Sequence, residues 1–142
     1  MFAGLELLLD LVHELRTGFD LDLESILILA SINEATMRPF LLDPDTPAYV
    51  KGMAAVPEEY RGSISMLLVS ERVNLPRKTV RRKTLDLIRR GLVIRDEQGR
   101  MRAVSKITTP EAQRTVRESF AAVKRYDARL KQLGLVGIGR PR

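Results

Sequence analysis

The sequence predicts a mainly α-helical chain with one small β-hairpin, and three observations predict it. Apolar residues recur at helical spacing from residue 2 to residue 32, and again from residue 116 to residue 133. Between these stretches, Val80, Thr84, Leu87 and Ile88 keep the same spacing behind Pro76, with Gly91 just beyond them. Residues 92–95 and 100–104 flank Asp96-Glu97-Gln98-Gly99, a segment with the composition of a turn.

Composition limits the alternatives. A chain of 142 residues can bury one core, or a binding module plus a small helical layer, but not two independent domains of ordinary size. With 44% hydrophobic residues it is expected to be globular. Cysteine is absent, which excludes disulfides and thiolate metal sites. The single His13 does not suffice for a zinc site within one chain, so no metal or cofactor is expected. The N-terminus lacks the basic region of a signal peptide. No apolar run approaches the ~20 residues of a membrane span, so a soluble cytoplasmic protein without a membrane partner is expected. The net charge of +6 conceals an asymmetry: residues 1–60 carry a net −8, and residues 61–142 a net +14. Charge alone does not separate a binding surface from a solvated face or a nonspecific tail. The apolar pattern does.

Taken in order, Phe2, Leu5, Leu8, Leu9, Val12 and Leu15 make an amphipathic first helix. Leu23, Ile26, Leu27, Ala30 and Ile32 make a second, expected to end before Pro39, so that residues 1–41 form an N-terminal helical layer. Residues 42–60, with Pro44, Pro47, Gly52 and Pro57, read as a connecting loop. In the segment 61–106, Ser65 is placed to cap a helix over 66–72 whose inner face is offered by Leu67 and Leu68. Val73-Asn74-Leu75 is the turn, with Asn74 suited to a left-handed backbone, and Pro76 is expected at the first helical position of the next helix. That helix opens Pro76-Arg77-Lys78-Thr79-Val80-Arg81-Arg82-Lys83, with Arg77, Lys78, Arg81 and Arg82 on the face opposite the apolar residues. A helix with such cationic first turns reads as an element that lies against a polyanion, duplex DNA first. Thr109-Pro110-Glu111 starts a C-terminal helix within 107–135, with Val116, Phe120, Val123, Leu130 and Leu133 as its apolar seam and Gly134 as its end. Residues 136–142 read as a flexible tail.

Ile64-Ser65, Leu75-Pro76-Arg77, Thr79-Val80, Arg82 and Arg90-Gly91-Leu92-Val93 resemble the winged helix-turn-helix of bacterial transcriptional regulators, over about a third of the chain. The helices before and after this unit resemble the arrangement of MarR-like regulators, in which terminal helices build a dimer interface. The 42–60 connection is longer than that arrangement has, and Asp127 interrupts the C-terminal seam. The resemblance implies a winged helix-turn-helix with flanking N- and C-terminal dimerisation helices, and a homodimeric regulator that binds a pseudo-palindromic duplex. Arg77, Lys78 and Arg81 would face guanine O6 and N7 in the major groove, each bidentate contact giving ~1–3 kcal/mol of discrimination. Thr79 and Arg82 would touch phosphate, and Arg95, Arg100 and Arg102 on the wing would reach the minor groove or the backbone. Nothing in the sequence identifies a small-molecule effector, and the 42–60 loop is open to three readings: it lines an effector pocket, covers the dimer groove or does neither.

Plainer readings stand beside these. Arg89 and Arg90 suit a helix C-terminus, and Lys83 is expected to be solvated. The basic run Arg114, Arg117, Lys124, Arg125, Arg129 and Lys131 reads as an exposed face, part of it pairing with the acidic N-terminal half across a dimer. His13 reads as an interface residue, and Met53, Met66 and Met101 as filler or surface residues. Enzymatic activity is not expected: the acid pairs Asp43/Asp45 and Glu58/Glu59 lie in a loop without a nearby His, Cys or phosphate-cradling glycine loop. The alternative to a DNA reader is a winged-helix RNA-binding or protein-interaction module.

Overall fold

The computed structural model describes residues 1–51, 56–105 and 108–135. Along the chain come α1 (Phe2–Phe19), α2 (Leu23–Leu42), α3 (Ala48–Lys51), a 3-10 turn (Glu58–Tyr60), α4 (Met66–Val73), α5 (Arg77–Arg89), β1 (Val93–Arg95), β2 (Met101–Ala103) and α6 (Pro110–Gln132). The protein is mainly helical with a two-stranded antiparallel sheet. It divides into two compact units, one made of Met1–Leu23 with the chain from Thr108 onward, the other of Glu24–Ile107. By this division α2 belongs with the hairpin rather than with α1. Met53, Lys106 and the 136–142 tail lie outside the described residues.

The core of the Glu24–Ile107 unit includes Ile28 and Ile32 from α2, Val69 from α4, Val80 and Leu87 from α5, and Val93 and Met101 from the hairpin, all essentially fully buried. Met66, Val69, Ser70 and Val73 fall on one stripe of α4 at helical spacing; Val69 and Ser70 are buried and the other two half-buried. Leu67 and Leu68 therefore do not form the inner face. At about 100° per residue they fall off that stripe, and both are exposed. The Ser65 hydroxyl accepts a bond from the Leu68 N–H at 3.2 Å, capping α4.

Val73 is still helical, and the chain turns at Asn74, whose φ of 53° is left-handed. Pro76 is extended, at φ −57° and ψ 143°, and precedes α5 instead of starting it, so Arg77 is the first helical residue. At the other end of α5, Gly91 takes a φ of 73°. The Leu92 N–H donates to Leu87 O and the Gly91 N–H to Ile88 O, each at 3.0 Å, a Schellman closure.

β1 and β2 pair with Val93 opposite Ala103 and Arg95 opposite Met101. Asp96 Oδ1 accepts from the N–H groups of Gln98 and Arg100, at 2.9 and 2.8 Å, which holds the turn. Ile64 adds a third extended segment: its N–H donates to Met101 O at 3.0 Å, and the Met101 N–H donates back at 2.7 Å. Met101 is fully buried, so of the two readings, filler or surface residue, it is a filler of the core.

Three further expectations are corrected in this unit. First, α2 does not stop before Pro39 but runs on to Leu42. Pro39 has no N–H to return to Ala35 O, and Gly62 packs against that carbonyl so tightly that a Cβ there would lie 2.3 Å from it. Second, α2 is long and apolar enough to cross a membrane by length and composition, although no such run was expected. Its buried side chains, among them Ile28, Ile32 and Phe40, sit in the protein's own core, while Leu23, Leu27, Leu41 and Leu42 are exposed. Third, Lys83 is not solvated. It lies on the inner side of α5 among Val80, Thr84 and Leu87, and its ammonium reaches the Glu24 carboxylate in the first turn of α2 at 3.1 Å. The 42–60 segment is not plain loop either: it holds α3, where Val50 is buried, and the 3-10 turn.

In the other unit α1 and α6 run antiparallel. Glu6 pairs with Arg129 at 3.1 Å and Asp10 with Arg125 at 3.3 Å, while Gly18 faces Thr115. A Cβ on Gly18 would lie 1.7 Å from Thr115 Oγ1, so glycine permits this approach. Ala3, Ala112, Thr115 and Ala122 are buried. The pairing expected across a dimer thus exists within one chain, because the two terminal helices meet each other. Only part of each hydrophobic stripe is used in that packing: Val12 and Leu15 of α1 and Leu130 of α6 are half-buried, and the Arg129 guanidinium lies 5.7 Å from the centre of the Phe2 ring. Phe2, Leu5, Leu8 and Leu9 of α1 and Val116, Phe120 and Val123 of α6 are exposed, as is His13. Thr109 caps α6, its hydroxyl accepting from the Ala112 N–H at 3.3 Å, and Gly134 closes it at a φ of 69°.

Candidate nucleic-acid interface

The inner face of α5 is filled by Val80, Lys83, Thr84 and Leu87, and this sets the opposite face outward. Arg77, Lys78, Arg81 and Arg82 are all exposed, and Thr79 is half-buried between them. Among the described residues none of these four cations has a hydrogen bond or an ion pair. Lys78, Arg81 and Arg82 line a shallow, open depression together with Leu85, Ile88 and Arg89. The cationic face therefore has an apolar floor. The sequence pattern did not single out Leu85; its signal is an apolar residue on the polar side of an amphipathic helix.

Two physical features concentrate positive potential at the start of α5. Pro76 provides no side-chain cap, which leaves the first-turn N–H groups without that partner. The helix also has no acid in its first turn, where a carboxylate would favour the dipole. Each cation placed there instead opposes the dipole by ~0.3–1 kcal/mol. Such a cluster weakens the helix, and a bound anion would relieve it.

Elsewhere in the basic half many cations are partnered, while Arg95, Arg114 and Arg117 are exposed without a partner among the described residues. Arg89 and Arg90 both pair with Asp86, at 3.1 and 3.0 Å. Of the three hairpin arginines, only Arg95 is exposed and without a partner among the described residues. Arg100 turns back on Ser63, its Nε donating to the hydroxyl at 2.9 Å and a terminal nitrogen to the carbonyl at 3.0 Å. Arg102 pairs with Glu58 at 2.7 Å and leans on Asp96 at 3.8 Å. The sequence places Glu58 in a loop, and no local pattern shows its partner 44 residues away.

Among the described residues Tyr60 and Arg129 have displaced pKa values, and neither belongs to α5 or the hairpin. Partial burial pushes Tyr60 up, followed by the influence of Tyr49 and Glu59. The hydrogen bond to Glu6 holds Arg129 up, and the charge of that carboxylate adds to it. Among the described residues no cluster of His, Cys, Asp and Glu could hold a metal ion. Comparison with protein-family models, with curated proteins and with solved structures found no match.

Proposed function

We propose that this chain is a homodimeric, sequence-specific regulator of transcription that binds duplex DNA through a winged helix-turn-helix, in a bacterial cytoplasm. The observation that carries the reading is the unpaired cationic face on the first turns of α5, with Arg77, Lys78, Arg81 and Arg82 exposed beside an unpaired Arg95 on the hairpin. In this reading α5 enters the major groove, Arg77, Lys78 and Arg81 read base edges, and Thr79 and Arg82 hold phosphate. Arg95 is the hairpin cation ready to reach the adjacent groove or backbone.

The dimer is assigned to the exposed apolar stripes of α1 and α6, with a second copy as occupant. Four residues of α1 and three of α6 leave several hundred Å² of apolar surface exposed, of the order of the ~800 Å² that each partner contributes to a stable interface. A two-fold dimer would set its α5 helices ~34 Å apart and select a pseudo-palindrome.

The test is selection from a genomic DNA fragment library at ~150 mM salt, where nonspecific electrostatic binding is weakened, followed by sequencing. Recovery of one shared pseudo-palindrome is the expected result. Enrichment without a motif, or no retention at all, would overturn the reading in favour of an RNA-binding or protein-binding module.

A further inference from the structure

The 58–64 segment straps the hairpin along the whole of β2. The Arg61 guanidinium is buried and donates to the Ala103 carbonyl, and Arg61 also donates to Glu58 Oε1 at 3.0 Å. The other carboxylate oxygen of Glu58 accepts from Arg102 at 2.7 Å. Ser63 takes Arg100, and Ile64 takes Met101 through two backbone bonds. Every residue from Arg100 to Ala103 is thus held from one side by residues 58–64.

The Glu58–Arg102 contact differs from the others in this strap. The remaining bonds satisfy backbone carbonyls and amides or bury a guanidinium. Glu58 itself is mostly exposed, with 56% of its side chain accessible, and its second oxygen binds a guanidinium that is only 23% exposed. The Arg102 Nε is buried with no hydrogen-bond acceptor, its nearest carboxylate being Asp96 at 3.8 Å. The unused Nε is enclosed by the protein, so the bond open to exchange is that of the terminal nitrogen, which is held by an oxyanion. A carboxylate oxygen and a phosphate oxygen offer an arginine the same bond.

We propose that Glu58 occupies on Arg102 the place of a nucleic-acid phosphate, and so withholds that hairpin cation from the polyanion unless the 58–61 turn releases it. This rests on the proposed DNA reading for the identity of the polyanion, but not for the competition itself. The number of phosphates engaged is then under the control of the 58–61 turn. Glu58 is a positioning residue in this scheme, and Arg102 is the group it positions.

The test measures the slope of log K against log salt for a mixed-sequence duplex, and the salt that elutes each protein from heparin. The proteins are the wild type, E58Q, R102Q, the double variant E58Q/R102Q, and E97Q. Glu97 is an exposed acid of the hairpin turn without a partner among the described residues, so E97Q makes the same charge change without freeing Arg102. One additional phosphate contact steepens the slope by about 0.9, a gain of roughly threefold to tenfold in affinity at 0.1 M salt. E58Q is expected to show this gain over E97Q, the double variant to lose it, and R102Q alone to match the wild type. Equal behaviour of E58Q and E97Q overturns the competition, and so does a shallower slope for R102Q alone, which would mean that Arg102 is already engaged. The R102Q comparison stands even where E58Q fails to fold. If the wild type binds no duplex while E58Q still elutes from heparin later than E97Q, the DNA reading fails and the competition holds.

Discussion

The two strongly basic helices of this protein use their charge differently: the cations in the second half of α6 are partnered, while Arg114 and Arg117 near its start, like the outer cations of α5, are exposed without a partner among the described residues. In α6, Arg125, Arg129 and Lys131 are paired with Asp10, Glu6 and Asp127, and Lys124 lies 5.0 Å from the centre of the Phe120 ring. In α5, Arg77, Lys78, Arg81 and Arg82 are exposed and have no partner among the described residues. Both helices read as basic runs in the sequence. The acids of α1 lie opposite α6, whereas α5 buries its one partnered inner cation, Lys83, and leaves the outer ones in solvent. What separates a structural charge from a candidate binding charge is the company each side chain keeps.

Removing charge from each helix is the most direct way to break this contrast. R77A/R81A is expected to weaken sequence-specific duplex binding by at least about thirtyfold, two contacts of ~1–3 kcal/mol each. Its thermal stability should be unchanged or slightly higher, since two cations leave the positive end of a helix. Fluorescence anisotropy and calorimetry read the two quantities. Unchanged affinity would remove these residues from the interface.

Next in size come the α1–α6 contacts. G18A forces a methyl group into Thr115 and is expected to destabilise the protein by ~1–3 kcal/mol, with T115A in the same chain restoring part of the loss because the nearest atom is removed. Denaturant unfolding measures both, and an unaffected G18A would contradict the close approach. F120D places a charge on an exposed apolar stripe; it is expected to shift the protein from dimer to monomer in sedimentation velocity at unchanged helix content. A dimer that persists would move the interface away from α6.

The smallest expected effect is on the paired cations. R125A/R129A should lower stability by only ~0.2–1 kcal/mol per pair, because exposed ion pairs gain little in water. Its DNA affinity should remain within about twofold of the wild type, apart from the general charge change. A loss comparable to that of R77A/R81A would erase the distinction between the two helices.

Much of the local structure was legible because it depends on short-range chemistry. The Ser65 cap, the left-handed Asn74, the glycine closures at Gly91 and Gly134 and the hairpin between them each follow from one or a few residues acting on their own backbone. The errors share another cause. Leu67 and Leu68 were placed inside because they are leucines, but Met66, Val69, Ser70 and Val73 define the buried stripe. Pro39 reads as a helix end, yet α2 runs through it to Leu42, with Gly62 packed closely against the Ala35 carbonyl that Pro39 cannot bond. Of the candidate site, the α5 cluster was legible from charge and spacing. The differing situations of Arg95, Arg100 and Arg102 were not, since Ser63 and Glu58 lie 37 and 44 residues away from their partners.

The sequence by itself therefore determined α1, α4, α5 and α6, the start of α2, the closures at Asn74, Gly91 and Gly134, the hairpin turn and the outward cationic side of α5, because propensity, capping and periodicity act within a few residues. Only the tertiary structure decided which cations are partnered, which leucines are exposed, and that Glu58 meets Arg102. Those outcomes depend on which distant carboxylate or core residue the fold brings within a few ångströms, and an ion pair at 2.7 Å has no local signature in the chain.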